Sequence, residues 1–125
     1  MANFTHEFFL DEENHIVHLL VKGELNKDEG EMIILEARAY ADEYKYDILC
    51  DVSRANIKVT LAEWFFLARN QDIYPSIPTE KTALLINPDA MKIYKFVENV
   101  TRNKGFKIRI FLNEEDARSW LKKVG

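Results

Sequence analysis

The sequence predicts an α/β fold: one domain over residues 1–125 with a mostly parallel five-stranded sheet, an N-terminal antiparallel hairpin and four helices, ordered ββαβαβαβα. Three observations carry this. Segments of strand-like and helix-like periodicity alternate after an initial hairpin pattern, the signature of helices layered on a parallel sheet. Side-chain caps open the helical segments at Asn26, Thr60 and Asn113, where a side-chain oxygen can take the first free N–H groups. All three prolines (Pro75, Pro78, Pro88) fall in or beside loops, which leaves the elements between them unbroken.

Phe4 to Leu10 and His15 to Gly23 form the hairpin, joined by the acidic turn Asp11-Glu12-Glu13-Asn14. The second strand is apolar on both faces: Val17, Leu19 and Val21 alternate with Ile16, His18 and Leu20. Such a strand needs cover on both sides. Asn26 and Glu29 make a capping box for the first helix, whose stripe is Ile33, Ala37, Tyr40, Ala41 and Tyr44. The strand 46–52 follows and delivers Asp51 and Ser53 to its C-terminal tip, the end of a strand where α/β proteins place ligands. A second capping box, Thr60 to Glu63, opens a helix over 60–74. Lys81 to Asn87 is a further strand. Pro88-Asp89 starts a helix with Ile93, Phe96, Val97 and Val100 inward and Gly105 as its C′ residue. Phe106 to Leu112 is the last strand, and Asn113 caps a final helix, Glu114 to Lys123, acidic in its first turn and basic in its last.

Of the 125 residues 47% are hydrophobic and 30% charged, an ordinary globular composition. No apolar run approaches the ~18 residues of a membrane span, and no basic segment leads into a hydrophobic one at the start. The lone Cys50 fits a reducing compartment. These features predict a cytoplasmic protein. Cys50, flanked by Leu49 and Asp51 in a strand, is expected to fill core rather than react. The net charge of −4 argues against nucleic-acid binding and hides an asymmetry: residues 1–53 hold 13 acids and 4 bases, residues 54–125 hold 8 and 13. Either the two halves present opposite faces, able to steer a charged partner or pair with each other, or both are solvated.

Catalytic signatures are missing. There is no Gly-rich phosphate loop, nucleophile elbow or His-Glu-x-x-His, and the carboxylates lie mostly on helix faces. His6, His15 and His18 have no companions at ligand spacing, so no metal, catalytic residue or cofactor is predicted.

Val21-Lys22-Gly23-Glu24-Leu25-Asn26, Ile48-Leu49-Cys50-Asp51-Val52-Ser53 and the ending Ile110 to Leu121 form an ordered set. Together they resemble the SpoIIAA-like (STAS-like) family, the fold of anti-sigma-factor antagonists, related to CRAL-TRIO lipid-binding domains. In the antagonists the central strand ends Asp-Ser-Ser-Gly, and its second serine is phosphorylated by a partner kinase. Asp51 and Ser53 match the aspartate and that serine, whereas Val52 and Arg54 replace the first serine and the glycine. The resemblance implies a non-enzymatic bacterial regulatory module, with Ser53 as phosphoacceptor and Asp51, Ser53 and Arg54 as an interaction surface for another protein or a second copy in a homodimer. The plainer role for Asp51 and Ser53 is to hold a local turn.

Trp64, Phe65 and Phe66 are consecutive, so the helix they share with Leu67 cannot turn them all to one core. They are expected to line either an interface or the pocket of a small apolar-ligand or lipid-binding protein, the second function the family's kinship allows. A cavity of roughly 300 Å3 or more favours the ligand. Lys92, Lys95, Arg102, Lys104, Lys107 and Arg109 gather on the third helix and last strand. They form either an ordinary solvated face or a site for an anion.

Overall fold

The computed structural model describes residues 3–60, 62–63 and 79–123. β1 (Phe4–Asp11) and β2 (Ile16–Leu25) pair antiparallel, Phe8 opposite Leu19. Asp11 holds the turn by accepting the Asn14 N–H at 3.1 Å. α1 (Lys27–Tyr44) opens on the predicted capping box: Asn26 accepts the Glu29 N–H and Glu29 accepts the Asn26 N–H, both at 2.9 Å. β3 (Asp47–Ile57), β4 (Thr82–Leu85), α2 (Met91–Asn103), β5 (Ile108–Phe111) and α3 (Glu114–Lys122) follow. α2 is led in by a turn of 3₁₀-helix at Pro88–Ala90. Its C-terminus closes as expected: Gly105 (φ 97°) donates to the Arg102 carbonyl and Phe106 to the Thr101 carbonyl.

The five strands lie in the order β1-β2-β3-β4-β5, antiparallel at the first pair and parallel at the others. The first halves of β2 and β3 are buried on both faces, and a core lies on each side. Val17, Leu19, Val21, Ile48 and Val52 meet Ile33, Ala37 and Ala41 of α1 and Tyr94 of α2. Ile16, Leu49 and Ala83 meet Ala117 and Leu121 of α3 on the other. The parity of the strands divides these sets, since successive side chains alternate between faces.

Three α-helices are among the described residues. The predicted helix over 60–74 lies outside them apart from Ala62 and Glu63, which are helical, and its capping box is formed, Glu63 donating to Thr60 Oγ1 at 3.1 Å. Two helix stripes differ from expectation. In α1 the buried set is Ile33, Ala37, Arg38 and Ala41, and Tyr44 is exposed. Arg38 lies between Asp42, 3.5 Å away, and the largely buried Glu80, 3.7 Å away. In α2 the buried residues are Tyr94, Val97, Glu98 and Thr101, while Ile93, Phe96 and Val100 are half-buried.

Glu98 is the informative departure, at 2% exposure. Thr82 of β4 and Ile86 just after it donate to the carbonyls of Lys107 and Phe111, so alternate residues of β5 face β4 and Ile110 faces the outer edge. Glu98 accepts the Ile110 N–H there at 2.8 Å and the Lys95 ammonium at 2.8 Å. Burial pushes the Glu98 carboxyl up, but those two hydrogen bonds and the charges of Lys95 and Arg102 outweigh it, holding the pKa below the ordinary value.

Because the strands are laid down in chain order, the charge asymmetry is spatial. The acid-rich β1, β2 and α1 form one end of the sheet. Residues 79–123, with ten bases and six acids, form the other.

Candidate functional site

β3 does not end at residue 52. It runs to Ile57, and Asp51 and Ser53 lie inside it rather than at its tip. β4 ends at Leu85 opposite Asp51, so beyond that point β2 is β3's one pairing partner among the described residues. The register there slips by one residue, Leu20 facing Asp51 and Lys22 facing Arg54. This β-bulge changes the strand's parity. Without it Asp51 and Arg54, three apart, would point to opposite faces; with it they share the face of Leu20 and Lys22.

One oxygen of Asp51 organises the bulge, accepting the Ser53 N–H at 3.0 Å and its hydroxyl at 2.6 Å. This is the local backbone-holding role open to an Asp-x-Ser pair. A phosphate on the Ser53 oxygen would add about −1.5 to −2 charges next to Asp51 and break the contact. Arg54 is exposed.

α3 covers only the rows of this face nearest its own residues Ala117 and Leu121. No other described helix packs on the rows above. There Phe9 is 51% exposed, lies 6.1 Å edge-on from His18, and neighbours half-buried Leu20. Phe9 carries a sequence signal: Phe8 and Phe9 are adjacent in a strand and must face opposite sides. Phe8 packs on Tyr40 with ring centroids 5.0 Å apart, which leaves Phe9 to the opposite face. His6 meets Glu36 at 3.3 Å, and His15 stacks on Tyr46 with centroids 5.1 Å apart. The three histidines therefore serve three separate contacts.

Trp64, Phe65, Phe66 and Leu67 lie outside the described residues. On the α1–α2 side the described residues line a partly open apolar cavity of about 130 Å3, with Val21, Ile33, Cys50, Val52, Tyr94 and Val97 among its walls. That volume is close to the ~150 Å3 that accepts a benzene and far below the ~300 Å3 of the smallest drug-sized sites. The lipid-binding reading therefore finds no support. Cys50 sits on this wall, and burial, with the Asp51 charge behind it, pushes its thiol up to about 12. Native protein at mildly alkaline pH is accordingly expected to resist a thiol-specific disulfide reagent and to react fully once unfolded. Fast native labelling would show that this wall opens.

No protein-family model and no curated protein matches the sequence. The structure places the chain in a class nonetheless: it has a SpoIIAA-like fold, and no described helix is long and apolar enough to cross a membrane. The similarity is to an uncharacterised protein of the DUF3478 family from Shewanella loihica PV-4, at TM-score 0.59 and 11% identity over 97% of this chain and 95% of that one. An antisigma-factor antagonist STAS domain from Rhodobacter sphaeroides aligns at TM-score 0.38 and 17% identity, over 87% and 86%.

Proposed function

We propose that the protein is a non-enzymatic regulatory module that binds another protein, or a second copy of itself, through the rows of its sheet that α3 leaves uncovered. The observation that carries this is Phe9, half exposed against His18 on the sheet face that also carries Leu20, Asp51 and Arg54. An apolar patch bordered by charge is the usual form of an interaction surface. The SpoIIAA-like fold supports the same reading. Ser53, held by Asp51 at the bulge, is where an added phosphate would switch the surface from mixed to strongly negative.

The test is affinity capture from the native cells with wild-type protein, Phe9→Asp and Ser53→Asp. Phe9→Asp is expected to weaken the bound partner about 30-fold, the loss of ~2 kcal/mol that a central aromatic contact typically supplies. Ser53→Asp, placing a second carboxylate beside Asp51, is expected to release it too. Both variants retaining every partner, with unchanged circular dichroism, overturns the proposal.

A further inference from the structure

At the opposite end of the sheet from the acidic hairpin, a cleft of about 320 Å3 opens between the C-termini of α2 and α3. Its charged lining is basic throughout: Lys81, Arg102, Lys107 and Arg109, with Phe106 and Trp120 as apolar walls and no carboxylate among the described residues. Cations near helix C-termini ordinarily serve the helix dipole. Here that task is already met. Lys81, 8% exposed, donates to the carbonyls of Trp120, at 3.2 Å, and of Lys123, with its ammonium 5.5 Å from the centre of the Trp120 ring. The last turn of α2 is closed by the N–H groups of Gly105 and Phe106.

Lys107 and Arg109 are therefore surplus to the helices. Lys107 immediately precedes β5 and Arg109 lies within it, two residues on, in step with Phe111, which meets Trp120 with centroids 5.7 Å apart. Both cations are exposed, and neither has a carboxylate partner among the described residues. Arg102 reaches only the far side of Glu98, at 4.0 Å. Three under-compensated cations around one concavity raise the local potential and concentrate anions. The guanidinium groups suit the oxygens of a phosphate.

The geometry points to a binding site for a small phosphorylated molecule, its phosphate held by Arg102, Lys107 and Arg109 and its body against Trp120. The volume is at the low end for such sites, which restricts the ligand to a compact one. The site is separate from the Phe9–Asp51 surface, so a ligand there would leave that surface free.

Titration calorimetry with inorganic phosphate, pyrophosphate and adenosine monophosphate tests the site at low salt. Saturable one-to-one binding is expected, strongest for the probes with more charge, weakening as salt rises, and reduced at least tenfold in Lys107→Ala/Arg109→Ala. Lys22→Ala/Lys92→Ala removes two exposed cations elsewhere and is expected to bind as wild type. Equal weakening in both double variants, or no binding of any probe, overturns the inference. So does binding to phosphatidic acid vesicles without binding to the free phosphates, which would make this end a flat basic surface.

Discussion

Replacing Gly23 with valine is expected to destabilise the protein by about 3–4 kcal/mol, combining the penalty of a left-handed backbone with that of overpacking. Gly23 has φ +95°, and a Cβ there would stand 2.4 Å from the Asn3 carbonyl oxygen and 2.9 Å from the Phe4 Cα. Both obstacles are backbone, so no rotamer relieves them. The same carbonyl accepts the Glu24 N–H at 2.9 Å, so pushing the chain apart also undoes the start of β1. Thermal unfolding should register the change as a fall of about 10 °C for a chain of this size, and Gly23→Ala as a smaller fall. Gly30, inside α1 with open space where its Cβ would go, provides the contrast: Gly30→Ala should stabilise by about 0.5–1 kcal/mol. Equal effects at the two glycines would disprove the crossing of Asn3 over Gly23.

Glu98→Ala is expected to cost about 2–4 kcal/mol, because it removes two charge-assisted hydrogen bonds and strands the Ile110 N–H at a sheet edge. The pH dependence is a second, independent signature. The carboxyl titrates lower in the folded protein than its ordinary value of 4.5. Its contribution is thus complete above that value and lost as the pH falls through the folded pKa. In urea melts the stability gap between wild type and Glu98→Gln should be widest near neutrality and shrink below about pH 4.5. A gap unaffected by acid would mean that Glu98 acts through its size alone.

Most of the element order was legible because periodicity and caps are local signals. Asn26 with Glu29 and Asn113 with Asp116 announce helix starts from four residues of sequence, and the structure uses both. The errors came where a distant partner decides. Ser53-Arg54-Ala55-Asn56 looks like a polar loop, yet Ala55 and Ile57 turn inward against Gly23 and Leu25, so pairing with β2 keeps the strand going. Nothing in the sequence marks the one-residue slip that brings Asp51 and Arg54 to one face. Glu98 and Arg38 interrupt apolar stripes, yet both are buried with partners far along the chain, Ile110 for Glu98 and Glu80, beside the local Asp42, for Arg38. Phe9 was readable from the Phe8-Phe9 pair, since a strand cannot bury both on one side.

The consecutive strand order has a consequence for how the molecule is made. Each strand joins the sheet beside the one synthesised just before it, so a chain emerging from the ribosome can add one layer at a time and never has to thread a late strand into the middle. Connections between sequence neighbours also keep loop closure cheap, which favours rapid folding. The last strand to arrive is β5, four residues long, and an unfinished edge is where a sheet recruits foreign strands. α2, made just before it, already carries Glu98, the group that takes the outward N–H of Ile110. One outward donor of the growing edge is thus capped in the same step that completes it.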